Sequence, residues 1–172
     1  MKLIMLKLLY TESTYWVDIM LLLFMRHGKA EEKKPGLRDE DRRLTDEGRR
    51  DVEFVARALP VKPSIVYSSP LVRARETAEI VARLHGVDLR IVDELSPSKA
   101  SLDSIKGLEL VDNTLLVGHA PSIEDVVSEI VGGGNVKLKA GAVAGIELEE
   151  VGKGKGRLVF LITPQIARII LG

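Results

Sequence analysis

The 172-residue sequence contains no cysteine. Disulfides, thiolate nucleophiles and cysteine-ligated zinc or iron–sulfur centres are therefore excluded. Net charge is also absent, because 25 Lys and Arg balance 25 Asp and Glu. A dedicated nucleic-acid-binding domain is usually clearly basic, so no nucleic-acid partner is expected. Apolar runs are short. Lys7 interrupts Met1–Tyr10, and Thr11-Glu12-Ser13-Thr14 separates it from Ile19–Met25, itself too short to span a bilayer. Neither a cleaved signal nor a membrane partner is expected, and the protein is expected to be cytoplasmic. Histidine is scarce as well: the chain has three, His27, His85 and His119.

What is present is enough for one domain, since single domains usually run to about 100–200 residues. Residues 1–17 are expected to be an extension, and 18–172 the domain proper. For the extension, an added strand, an unstructured lead-in and a true start at Met20 all stay open. From Asp18 onward, short apolar runs alternate with helical periodicity. That pattern predicts an α/β fold with a mainly parallel sheet flanked by helices. Ile19–Met25 has the composition of a buried central strand. Thr45 caps a predicted helix whose Val52, Val55, Ala56 and Leu59 share one face, ended by Pro60. Ser64–Tyr67 is the next predicted strand, and Ser69-Pro70 is the pattern of an N-cap and first helical residue. Further on come a strand at Val87–Val92, a helix at Ser98–Leu108, a strand at Thr114–Val117 and a helix started by Pro121. Ala142–Glu149 and Leu158–Ile162 form a predicted hairpin, followed by a terminal helix at Pro164–Leu171. Gly132-Gly133-Gly134 lacks the Gly-Lys-Ser/Thr of a phosphate-binding loop, and no internal repeat is present.

Three strand ends carry chemically capable residues: Arg26-His27-Gly28, Ser68-Ser69-Pro70 leading to Arg73, and Gly118-His119-Ala120-Pro121. In open α/β sheets, ligands bind at the carboxyl ends of strands. Arginine offers a fork of donors matched to phosphate oxygens, and neutral imidazole is a nucleophile near pH 7. His27 is thus placed to attack phosphorus while Arg26, Arg73 and His119 hold its oxygens, with Gly28 letting the backbone approach. Arg73 and Arg75 point roughly 200° apart on a helix, so at most one faces the site. Plainer alternatives exist for each: a polar strand exit, a satisfied histidine at a helix entrance, a surface arginine. His85, before Gly86, fits a structural role at a helix end, and Lys29, Lys33, Lys34 and Arg38 fit a solvated loop.

Four ordered blocks carry a family pattern: Leu23–Ala30, Arg42–Gly48, Ser68–Thr77 and Val117–Pro121. Together they resemble the histidine phosphatase superfamily, and within it the small SixA-type phosphohistidine phosphatases. The resemblance implies a phosphoglycerate mutase-like fold and a metal-independent reaction without cofactor, through a phosphohistidine intermediate. It implies His27 as nucleophile, Arg26 and Arg73 as phosphate-binding arginines, and His119 as the second histidine of the pocket. Larger relatives supply a carboxylate proton donor, for which Glu94 is the candidate, with Glu31 and Glu32 behind it; Glu94 either reaches the site or caps the following turn. The expected substrate is phosphohistidine in a protein, with a small phosphomonoester, a mutase-like reaction and a non-catalytic phosphoprotein-binding module as alternatives. The oligomeric state is left open.

Overall fold

A computed structural model describes residues 18–172, so the expected extension at 1–17 lies outside the described residues. The elements, in chain order, are β1 (Met20–Arg26), α1 (Asp46–Arg57), β2 (Ile65–Ser68), α2 (Val72–His85), β3 (Leu89–Ile91), α3 (Leu102–Lys106), β4 (Thr114–Gly118), α4 (Ser122–Ile130), β5 (Val143–Leu148), β6 (Gly156–Ile162) and α5 (Pro164–Leu171). Short 3-10 turns occupy Asp39–Asp41 and Asp93–Leu95.

The six strands form one sheet in the order β3-β2-β4-β1-β5-β6. β3, β2, β4 and β1 pair in parallel, whereas β5 pairs antiparallel with both β1 and β6. The α/β expectation holds, with an antiparallel hairpin completing a mixed sheet. β1 runs through its middle, which explains why its sequence is apolar throughout: both faces are covered. Leu23 and Met25 enter the layer built with α1, α2 and α5, while Leu22 and Phe24 enter the opposite layer with α3 and α4. All four side chains are fully buried.

Helix ends follow local chemistry where no tertiary demand intervenes. Thr45 Oγ1 accepts the Gly48 N–H, as its position predicts, and Thr163 likewise accepts the Ile166 N–H. Ser101 and Ser104 close a reciprocal capping box, so α3 begins at Leu102, later than predicted. At α2 the expectation fails. The N-cap is Leu71, without a side-chain cap, and the Ser69 hydroxyl is engaged elsewhere. His85 Nε2 donates to the Ala56 carbonyl at 3.0 Å, tying the end of α2 to α1, which fits its expected structural role. None of the described helices is long and apolar enough to cross a membrane.

Candidate active site

The carboxyl ends of β1, β2 and β4 lie side by side, and backbone hydrogen bonds fix the loops that leave them. The His27 N–H donates to the Gly118 carbonyl at 3.0 Å, joining the β1 and β4 exits. Gly141 N–H is shared between the Arg26 and His27 carbonyls at 3.1 and 3.0 Å. The buried Thr77 hydroxyl donates to the Arg73 carbonyl at 2.7 Å and accepts the Gly28 N–H at 3.1 Å. One threonine on α2 thereby sets the nucleophile loop against the helix that carries Arg73.

These loops enclose a cavity of about 460 Å³ lined by Arg26, His27, Lys29, Lys33, Asp39, Arg42, Arg73 and His119, together with small residues such as Ala30, Pro97, Ala120 and Ala140. Within it, His27 Nδ1–H donates to the Gly28 carbonyl at 2.8 Å, which leaves the lone pair on Nε2. Arg73 Nε–H donates to that nitrogen at 3.2 Å. The His119 ring centroid lies 5.0 Å from that of His27, and its Nε2 is 2.8 Å from Ser69 Oγ. Arg26 is anchored by one terminal nitrogen donating to the Leu138 carbonyl at 2.9 Å. Arg26 Nε and His119 Nδ1 are buried without a hydrogen-bond partner among the described residues. Buried polar groups in proteins are nearly always paired, so two such nitrogens on one cavity mark donors suited to an acceptor-rich ligand.

Burial withdraws water from both imidazoles and favours their neutral forms. For His27 this outweighs the Gly28 carbonyl and is reinforced by Arg73, Arg26 and Arg42, lowering its pKa to about 4. For His119, burial, then His27 and Arg73, lower it to about 3 against the opposing charge of Asp39. At neutral pH the site therefore combines a neutral imidazole, its Nε2 lone pair directed, with three guanidinium groups. That set is suited to attack on an electrophile carried by an oxyanion, phosphorus above all.

The structure brings Arg26, His27, Gly28, Arg73 and His119 to one cavity, as the strand-end reading expects. Arg75 is exposed while Arg73 is 4% exposed, so the helical-angle choice between them holds. Gly28 also meets a packing requirement that the sequence does not show. A Cβ there would lie 2.7 Å from Val52 Cγ2 and 3.0 Å from the Gly48 carbonyl oxygen, so its missing side chain makes room for α1. Glu94 is exposed on the Asp93–Leu95 turn, and neither it nor Glu31 or Glu32 lines the cavity. Glu94 does not cap that turn with its side chain either; the Asp93 carboxylate accepts from Ser96 and pairs with Lys99. The carboxylate that does line the cavity is Asp39, bound to Arg73 and Arg42. Sequence reasoning missed Asp39, Arg42, Ser69 as a partner of His119, and Thr77 as a link. Arg42, Ser69 and Thr77 carried a signal in standing inside the four blocks, whereas Asp39 carried none.

Comparison with known proteins bears on the fold and the family. The family model for the histidine phosphatase superfamily (branch 1) matches residues 22–100, which include most of β1 and all of α1, β2, α2 and β3. An uncharacterized protein of Picosynechococcus sp. is 30% identical over 139 residues, covering 74% of this chain and 84% of that protein. Among solved structures, the protein histidine phosphatase SixA complexed with tungstate superposes with a TM-score of 0.74 at 25% identity, covering 85% of this chain and 98% of that one. A phosphoserine phosphatase of Entamoeba histolytica shares the fold alone, with a TM-score of 0.63 at 16% identity over 86% of this chain and 98% or more of its own length. On its sequence, its sheet order and the residues gathered at the strand ends, the chain belongs to the histidine phosphatase superfamily.

Proposed function

We propose that the protein is a SixA-type phosphatase that removes phosphoryl groups through a phosphohistidine intermediate on His27. One observation carries this reading. The His27 tautomer is fixed by its own loop carbonyl, so that Nε2 carries the lone pair, which accepts the Arg73 Nε–H until a phosphoryl group takes that donor, in a cavity also lined by Arg26 and Arg42. In the first step Nε2 attacks phosphorus and the bond to the leaving group breaks. Positive charge then develops on the imidazole, whose Nδ1–H stays bonded to the Gly28 carbonyl. The arginines and a His119 Nδ1–H take the phosphoryl oxygens, where their donors are worth most as charge accumulates. In the second step water attacks phosphorus, the bond to Nε2 breaks, and inorganic phosphate leaves.

The proposed substrate is phosphohistidine on a protein. Small-molecule sites usually carry a few placed polar groups that read the rest of the ligand. The cavity is lined by Ala30, Pro97, Ala120 and Ala140 as well as by the arginine–histidine–aspartate cluster, and beyond that cluster Lys29 and Lys33 are the polar side chains available to read a ligand. A phosphoramidate nitrogen also leaves with less acid assistance than an alkoxide, which suits a cavity where the one carboxylate among the described lining residues, Asp39, is held by two arginines. A general phosphomonoesterase is the second reading, favoured by the same scarcity of groups that would select a leaving group.

The test compares hydrolysis of a phosphohistidine protein and of p-nitrophenyl phosphate by the wild type and by His27→Ala, with and without EDTA. Expected are loss of at least a thousandfold in kcat for the variant, insensitivity to chelator, a higher kcat/KM on the phosphohistidine protein, and a mass increase of one phosphoryl group on His27 in quenched reactions. Full activity in His27→Ala would sink the mechanism. Preference for the ester would select the second reading.

A further inference from the structure

Each nitrogen of the Arg73 guanidinium makes a hydrogen bond to the protein, engaging three of its five N–H groups. Nε–H donates to His27 Nε2 at 3.2 Å, one terminal nitrogen to the Asp39 carbonyl at 2.7 Å, and the other to the Asp39 carboxylate at 3.0 Å. The same carboxylate accepts from Arg42 Nε at 3.1 Å and from its terminal nitrogen at 2.9 Å, with Lys33 Nζ 3.6 Å away. Carboxylate and phosphoryl oxygens use the same fork of guanidinium donors. A phosphoryl group that takes the guanidinium donors now facing Asp39 therefore competes with that carboxylate, because two anions cannot occupy one set of donors.

The two sides of this contact differ in freedom. Arg73 is fixed on α2 with its side chain 5% exposed, and Arg42 keeps an independent anchor through a 2.7 Å donation to the Glu31 carbonyl. Asp39 begins an exposed 3-10 turn and its side chain is 42% exposed, so the carboxylate can rotate into water while both arginines stay in place. We propose that Asp39 is an internal competing anion that determines specificity, admitting ligands with two negative charges in preference to those with one. A singly charged ligand offers the arginines nothing that Asp39 does not already supply. A phosphomonoester or phosphoramidate dianion brings a second charge and a third oxygen, and displaces the carboxylate. The inference rests on the reading of the cavity as a phosphoryl site.

Asp39→Asn isolates the charge, since the backbone carbonyl that holds Arg73 is untouched. Calorimetric titrations at pH 8 would use inorganic phosphate as the dianion and dimethyl phosphate as the monoanion, on the wild type, Asp39→Asn and Asp41→Asn. Asp41 lies in the same turn, pairs with Arg38 and does not line the cavity. Expected is about tenfold tighter phosphate binding in Asp39→Asn, the scale of a charge-assisted contact at a part-exposed site. Dimethyl phosphate should gain more, so that discrimination narrows, and KM should fall without a rise in kcat. Asp41→Asn should match the wild type. If Asp39 merely buttresses Arg73, its variant will bind phosphate more weakly and lose kcat, and either unchanged or weakened binding overturns the inference. A wild type that binds neither phosphate nor tungstate has a separate signature, and it would overturn the phosphoryl-site reading together with this one.

Discussion

Ser69 and Thr77 show how little side chain is needed to hold the site together, and why their roles are hard to read from sequence. Ser69 is followed by proline, the usual pattern of a helix start, yet its hydroxyl is 2.8 Å from His119 Nε2 and α2 starts three residues later. Its partner comes from another strand end fifty positions away, so no local pattern can reveal it. Ser69 Oγ also accepts the Leu71 N–H at 3.4 Å, and its own proton is available to the imidazole. Donation of that proton to Nε2 would keep a proton on His119 Nδ1, the nitrogen that has no partner among the described residues. Ser69→Ala should strand a buried nitrogen and lose about 1–3 kcal/mol of stability, measured by urea denaturation. Phosphate affinity should fall as well, and the nitrogen shifts of His119 should show a mixture of tautomers. A wild-type tautomer in that variant would count against the role of the hydroxyl.

At the scale of elements, the sequence discloses what depends on local periodicity and capping, and little that depends on loops meeting. The apolar β1, the Thr45 cap, the α5 helix and the β5–β6 hairpin are legible because their determinants lie within a few residues. Four site residues are legible for a related reason: they stand at strand ends, where the fold gathers them. Asp39 is not, because a carboxylate among Lys33, Arg38 and Arg42 has the composition of any solvated loop until α2 brings Arg73 beneath it. Burial of the Asp39 carboxyl would raise its pKa, yet Arg73 and Arg42 outweigh this and hold it below the ordinary value. The segment after α4 offers a similar case. Glu124, 5% exposed, accepts the Leu138 N–H at 2.8 Å, and the Leu138 carbonyl in turn receives Arg26. Its other oxygen pairs with Lys137, whose side chain is 63% exposed. Glu124→Gln should therefore cost about 1–3 kcal/mol and weaken phosphate binding several-fold through a looser Arg26. Lys137→Ala should change stability by less than about 1 kcal/mol. Denaturation curves with and without phosphate would check both, and equal effects would contradict this chain of contacts.

Across the whole molecule, a formal charge of zero coexists with a site that gathers Arg26, Arg42 and Arg73 around two neutral histidines. The cost of that arrangement is sensitivity to acid. In the unfolded chain, His27 and His119 take up protons as the pH falls through about 6.5, their ordinary value. In the folded chain they resist protonation until about pH 4 and about pH 3. Below pH 6.5 the unfolded state thus binds more protons than the folded one, and linkage requires stability to decline with falling pH. The decline should begin near pH 6.5, reach at most about 1.4 kcal/mol per pH unit for each histidine, and level off for His27 near pH 4. Urea midpoints from pH 8 to 4 would measure it. In His27→Gln/His119→Gln the slope between pH 6.5 and 4 should flatten even where overall stability is lower, because slope reports the protons and midpoint reports packing. Saturating phosphate should shift the wild-type curve upward by more than that of the double variant, since the ligand binds the folded state through these same side chains. A wild-type slope that persists in the double variant would place the acid sensitivity in the carboxylates instead.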